Sequence, residues 1–271
     1  MHEWIANARM YAVTPQVEAD WRELLEHVAA DAGVALRYQP YPAPQPLEAL
    51  WTRPDLGAVF MCGYPIALGL APVVPLAAPV PSASWAEGRA VYRTDLIVRE
   101  DAPYRRLEET FGGRSGWTVA HSQSGFNAFR HHLLGFRTPE RPVLYASMSP
   151  DLVTARRVLD EVREGRLDVG PLDAYWHLLI ARHAPQLTAG VRVVASTALT
   201  PIPAFVASAS LPERAQTALR SAFLTAAGRP WFAPLGERLS LVKFAAVVAA
   251  DYQVLLDWDR QARAAGYAVP A

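Results

Sequence analysis

The stretch GGRSGWTVAHSQSGFNAFRHHLLG, residues 112–135, carries the deciding pattern of this sequence. Its apolar run 117–120 predicts a short strand, 121–125 a polar turn, and 126–134 an amphipathic helix ended by Gly135. A strand feeding a helix through a short turn is the basic step of an α/β fold. Such a turn also gathers free backbone N–H groups, because the first amides of a helix lack intrahelical acceptors and the dipole favours an anion there. Ser122 and Ser124 add hydroxyl donors, and Gly125 lets the main chain approach a ligand closely. The same serines also suit an ordinary N-cap.

The alternation continues on both sides. Toward the N-terminus, residues 5–13 read as a strand, with Met10 and Tyr11 at its end. Residues 16–32 follow as a helix with Val17, Trp21, Leu24, Leu25 and Val28 at helical spacing. Thr14-Pro15 opens that helix and Gly33 closes it, before a strand at 34–38. A short helix at 47–52 leads to the apolar strand 58–62, the turn Gly63-Tyr64-Pro65 and, further on, the strand 90–98. Toward the C-terminus come a helix at 151–164, a turn and strand at 165–169 and a helix at 173–183. Strands at 191–196 and 204–208 are followed by a mostly helical remainder from 211. This order predicts an α/β protein with a largely parallel sheet.

Composition sets the outer limits. At 271 residues, 51% of them hydrophobic, the chain suits one large domain or two medium ones and excludes disorder. Lys+Arg and Asp+Glu number 26 each, so no global field attracts nucleic acid or an anionic membrane. A charged ligand must be recognised by a local site. Lys243 is the only lysine and Cys62 the only cysteine, which rules out an intramolecular disulfide. Residues 56–86 carry no charge, but Pro65, Pro72, Pro75, Pro79 and Pro81 break any spanning helix. They read as buried strands and turns, with no direct membrane insertion. The first residues lack the basic start and apolar run of a secretory leader. The expectation is a cytoplasmic protein, or a periplasmic one whose leader has been trimmed.

Other chemistry finds little support. Neither serine of the turn has the glycines of a G-x-S-x-G nucleophile elbow. A Ser/His-dependent enzyme would have to pair Ser122 or Ser124 with His121 or His177. His131 and His132 are adjacent and diverge on a helix, while His177 and His183 stand six apart, so no metal pair is read. Nucleotide fingerprints are absent, and no cofactor is expected. Asp173, just past a strand and opening a helix, is either an N-cap or a carboxylate at the ligand-binding edge of a sheet. Tyr64 and Tyr92 stand at strand ends, where a phenol suits either a core or a cleft.

The order of several pieces resembles a known family. MCGYP at 61–65, YRTDLIVRED at 92–101, HSQSGFNAFR at 121–130, GRLDVGPLDAYWHLL at 165–179 and DYQVLLDWDRQARAAGY at 251–267 are similar to the phosphate/phosphite/phosphonate-binding proteins of ABC transporters. These belong to the periplasmic type II binding-protein fold. The resemblance implies two lobes, each a mixed, mainly parallel sheet flanked by helices, joined by hinge strands with a ligand cleft between them. Lobe 1 would comprise 1–93 and 200–271, and lobe 2 residues 94–199.

The resemblance also implies a solute-binding role without catalysis, toward a small phosphorus oxyanion, in partnership with an ABC permease. The oxyanion would sit on Ser122, Gln123, Ser124 and Gly125, with Tyr64, the hinge tyrosine Tyr92 and Asp173 completing the site. Two departures stand out: Gln123 where the family often has a second hydroxyl, and His121 where it usually has an acid. Trp4, Tyr11, Trp51, Trp85 and Trp176 leave room for a flat organic ligand instead, such as a thiamin-pathway pyrimidine.

Overall fold

The structure is a computed structural model and describes residues 3–271. The chain forms two compact units, 1–92 with 201–253 and 93–200 with 254–271. It passes from one to the other after Tyr92, Thr200 and Gln253.

The first unit is built on a mixed six-stranded sheet. β1 (Trp4–Asn7), α1 (Pro15–Ala32), β2 (Leu36–Tyr38), α2 (Leu47–Trp51), β3 (Leu56–Met61), α3 (Gly63–Leu68) and β4 (Val73–Pro81) come first. β5 (Val91–Tyr92) closes this part of the chain. α1 starts as the sequence predicts: the Thr14 hydroxyl accepts from the Val17 amide at 3.2 Å, Pro15 is the first helical residue, and Gly33 closes it at φ +63°. β3 is buried along its whole length, which explains its lack of charge. The predicted strand 5–13 is shorter than expected. It ends at Asn7, and Arg9–Tyr11 form a 3-10 turn.

The second unit begins with β6 (Thr94–Arg99) and β7 (Arg114–Gly116), followed by α4 (Ala128–Leu134) and β8 (Ser147–Ser149). α5 (Ala155–Arg163), β9 (Gly170–Asp173), α6 (Ala174–His183), α7 (Pro185–Thr188) and β10 (Val191–Ser196) complete its central part. β11 (Thr200–Pro201) carries the chain back to the first unit, which adds β12 (Ala204–Ser208), α8 (Glu213–Thr225), α9 (Phe232–Arg238) and β13 (Leu241–Ala245). α10 (Gln253–Ala264) returns the chain to the second unit.

The strand order of the large sheet is β13-β4-β12-β3-β1-β2. Parallel pairing holds at β2–β1–β3, the part joined by helical crossovers. β12 inserts antiparallel between β3 and β4, and β13 pairs antiparallel with β4. Two prolines of β4 sit in this interior strand where the register slips: Val206 faces Pro75, and Leu241 faces Pro81. An aromatic core fills the unit, with Phe60 stacked on Phe205 at 3.8 Å and Trp21 edge-on to Phe60 at 5.1 Å.

In the second unit, β6 is the middle of a three-stranded sheet, β10-β6-β9, and both pairings are antiparallel. The mainly parallel lobe sheet expected from the alternation is therefore not what forms here. β9 and β10 both return against β6 rather than crossing over in parallel. The predicted strand 117–120 is absent as well. Its backbone groups bond the end of β8 and the loop after it: Trp117 N–H donates to Ser149 O at 3.1 Å, and Val153 N–H to Thr118 O at 3.0 Å. The strand formed just before it, at Arg114–Gly116.

Residues 254–271, expected in the first lobe, pack in the second unit. Tyr267 is 3% exposed in a core with Leu96, Val98, Phe129, Leu133 and Val169. The Leu144 amide donates to the carbonyl of Ala271 at 3.0 Å. Among the described residues, no helix is long and apolar enough to cross a membrane.

Candidate functional site

The turn singled out by the sequence opens the helix that ends in α4. Ser122, in extended conformation, takes the N-cap position, and its Oγ accepts from the Gly125 amide at 3.0 Å. Its carbonyl accepts from the Asn127 amide at 2.9 Å, a bond spanning five residues. That wider turn, Gln123–Asn127, is π-helical and runs directly into α4. Single π turns of this kind recur at functional sites because they re-aim the groups around them. With its lone pair engaged by Gly125 N–H, the Ser122 hydroxyl keeps its proton to donate.

The glycine is required by its surroundings. A Cβ on Gly125 would lie 2.1 Å from Thr118 Oγ1 and 3.0 Å from Ser122 Oγ. Thr118 is thus part of the turn, although the sequence offered no motif to announce it. Its hydroxyl is buried and makes no hydrogen bond among the described residues. Ser124 is 9% exposed, and its carbonyl is tied back by the Thr94 hydroxyl at 3.0 Å. Its own hydroxyl is not used for that bond.

Behind the turn lies a buried polar chain. Asn127 Nδ2 donates to Gln123 Oε1 at 2.8 Å and to Leu255 O at 2.9 Å. Arg130, 1% exposed, donates to Asn127 Oδ1 at 2.8 Å, to Ala268 O at 3.0 Å and to Asp259 Oδ1. Its guanidinium also lies 4.9 Å from the centre of the Phe126 ring. Asp259 and Leu255 come from α10, so the last helix of the chain supports the turn.

Asp173 lies beside this group in the sheet, in register with Thr94. Its Oδ1 accepts from the amides of Tyr175 and Trp176 at 2.9 and 3.0 Å, so the N-cap reading describes that oxygen's bonds. Tyr175 is completely buried next to it. Burial, and secondarily the charge of Asp173, push its phenol well above the usual range and keep it protonated.

A second polar cluster escaped the sequence reading. Asp95 Oδ1 accepts from Ser196 Oγ at 2.9 Å and from Arg93 Nε at 3.2 Å, and its Oδ2 meets His177 Nδ1 at 3.0 Å. Strand alternation was the available signal, since it sets Asp95 and Ile97 on one face of β6 and Thr94 on the other, with Arg93 just before the strand. His177 is committed to Asp95, not to Ser122 or Ser124 as a serine-based enzyme would need. His131 stacks on Trp258 at 4.3 Å, and His132 tilts over Phe136. Among the described residues, no three His, Cys, Asp or Glu side chains form a metal-binding group.

The three candidate tyrosines belong to the first unit. Tyr11 has no exposed surface and packs edge-on against Phe60 at 5.0 Å, as a core aromatic does. Tyr64, 3% exposed, is in the first turn of α3, and Tyr92, 1% exposed, ends β5. The structure therefore brings Ser122, Gln123, Ser124 and Gly125 together, with Asp173 linked to them through Thr94.

Comparisons with known proteins agree on family and fold. No curated protein matches the sequence. A Pseudomonas aeruginosa binding protein component of an ABC phosphonate transporter matches with a TM-score of 0.80 at 14% identity, over 97% of this chain and 88% of that one. PhnD1 from Prochlorococcus marinus, solved in complex with methylphosphonate, matches with a TM-score of 0.79 at 12% identity, over 97% and 98%. A Xanthomonas citri protein solved with chloride ion matches with a TM-score of 0.70 at 18% identity, over 98% and 99%. These establish the two-lobed periplasmic binding-protein fold. The profile of the phosphonate ABC transporter periplasmic substrate-binding proteins matches residues 12–252, and the chain belongs to that family.

Proposed function

We propose that this protein binds a small phosphorus oxyanion of the phosphonate class at the Ser122–Gly125 turn, without transforming it, and delivers it to an ABC permease. The observation that carries the reading is the geometry of the turn. The helix start at Gln123 gathers its first amides beside the hydroxyls of Ser122 and Ser124, and Gly125 lets Thr118 pack close against the turn. An oxyanion can accept from the serine hydroxyls and from the amides of the turn other than Gly125, and charge-assisted bonds are about twice as strong as neutral ones. Methylphosphonate in the complex of the Prochlorococcus marinus relative supports the ligand class. The engagement of His177 by Asp95 supports binding over serine chemistry. Family membership supports a periplasmic setting.

Isothermal titration with methylphosphonate, phosphite, phosphate and sulfate tests the reading. Phosphonate binding is expected, weakened roughly 10- to 150-fold in Ser124→Ala, the span of one hydrogen bond to a charged group. Titration of Tyr64→Phe and Tyr92→Phe tests the two tyrosines in the same way. Heat only from a flat organic compound, with none from any oxyanion, would overturn the proposal.

A further inference from the structure

The parallel part of the first unit's sheet contains a topological switch point. β1 lies between β2 and β3. From the end of β1 the chain leaves through α1 toward β2, and from the end of β3 it leaves through α3 toward β4, on the opposite side. The two connections diverge at the carboxyl ends of β1 and β3, the place where open α/β sheets form their ligand crevice. Arg9 stands in the 3-10 turn directly after β1, and Tyr64 in the first turn of α3 after β3. Asn7, the last residue of β1, fixes the turn: its Oδ1 accepts from the Arg9 amide at 2.9 Å, and its Nδ2 donates to Gln39 O at 2.8 Å.

Arg9 is half-buried. Its Nη1 donates to Gln45 O, and the guanidinium lies 5.5 Å from the centre of the Tyr41 ring, whose hydroxyl is tied to Pro46 O at 2.8 Å. Among the described residues, Nε and Nη2 make no hydrogen bond and Arg9 has no carboxylate within ion-pair distance, yet neither nitrogen is sealed from solvent. Burial pulls its pKa down, outweighing the raising influence of Tyr41 and Glu48, but a guanidinium stays charged. A cation held in this state gains from an anion that takes up its open fork. The Ser122–Gly125 turn offers neutral donors, since Arg130 behind it is 1% exposed and neutralised by Asp259.

We infer that Arg9 is a further ligand-binding residue: its Nε and Nη2 donate to two oxygens of the phosphorus oxyanion and make the protein select the doubly charged form. The inference rests on the oxyanion reading and deepens it. Hydroxyls and amides accept a singly charged ligand almost as readily, whereas a full positive charge gains most from a second negative one.

Titration with two ligands separates this role from support of the 39–46 loop. One is methylphosphonate at a pH where it is doubly charged, the other its monomethyl ester, which carries a single charge. Arg9→Gln removes the charge and keeps a polar head for Gln45 O. Its affinity for methylphosphonate is expected to fall roughly 10- to 150-fold, and its preference for methylphosphonate over the ester to narrow by about fivefold or more. Tyr41→Phe loosens the same loop but leaves the charge, so it should move the melting temperature and not the preference. If Arg9→Gln does not fold, Arg9→Lys keeps the charge without the planar fork and should lose about fivefold or more toward methylphosphonate. Equal losses for the two ligands, or no loss for methylphosphonate, overturn the role of Arg9 while leaving the oxyanion reading standing. A wild-type protein that binds methylphosphonate no better than sodium chloride overturns both.

Discussion

Replacing Gly125 with alanine puts a methyl group where the structure has no room for one. The added carbon would stand 2.1 Å from Thr118 Oγ1, 2.9 Å from Thr118 Cγ2 and 3.0 Å from Ser122 Oγ. The first two belong to a β-branched side chain that is 7% exposed and has little freedom to turn aside. Overpacking of this kind costs about 1–3 kcal/mol. At roughly 2–4 °C per kcal/mol for chains of this size class, the melting temperature should fall by roughly 2–12 °C. The third contact matters for binding, because moving Ser122 Oγ off the Gly125 amide opens the first turn of the helix.

Calorimetry and phosphonate titration of Gly125→Ala should therefore show both a stability loss and an affinity loss of tenfold or more. Thr118→Ala removes the two closest atoms. In that background the stability cost of Gly125→Ala should drop below about 0.5 kcal/mol, the usual limit for independent sites. An unchanged melting temperature in Gly125→Ala, or an undiminished cost in the Thr118→Ala background, would refute the steric argument.

Other perturbations test other parts of the molecule. Asp173→Ala removes the cap from the Tyr175 and Trp176 amides and should cost about 0.5–2 kcal/mol in denaturant unfolding, with a smaller effect on phosphonate affinity than Ser124→Ala. Tyr267→Ala should cost about 3–5 kcal/mol, as large aromatic truncations in a core do. Hydrogen exchange should place that loss in the second unit, at β6, α4 and the segment around Leu144 and Tyr145. His132 has its pKa held below the ordinary 6.5 by burial first and by His131 second, against a weaker pull from Glu108. The unfolded chain therefore binds that proton more readily than the folded one. Its contribution is complete above about pH 6.5 and is lost as the pH falls from there toward the folded-state pKa. Denaturant titrations at pH 7.5 and 5 should show a smaller difference in His132→Leu than in the parent.

Local chemistry made much of this molecule legible. Thr14, Pro15 and Gly33 mark the ends of α1 because capping and left-handed termination are decided within one turn of chain. The unbroken apolar run of β3 follows from its place inside the sheet. The Ser122–Gly125 turn was visible for the same reason, and the structure adds its π geometry. The missing strand at 117–120 shows where this reasoning ends. An apolar run is only a strand if another strand is there to pair with it, and here β8 pairs one step earlier, with Arg114–Gly116. The paired unit of Asp95 with His177 and Ser196 was invisible for a related cause. No local spacing connects residues that meet from β6, α6 and β10.

By itself, then, the sequence determined the α/β class, most helices and strands, the Ser122–Gly125 turn and the family resemblance, all of which rest on interactions between near neighbours in the chain. Tertiary structure decided what depends on distant partners. It inserted β12 between β3 and β4, and it sent residues 254–271 to the second unit, where Tyr267 completes a core and Asp259 neutralises a buried arginine. It also fixed the orientation of the Asn127 amide. That choice is made by a guanidinium and by a carbonyl from α10, groups with one hydrogen-bonding sense each, brought together only by the fold.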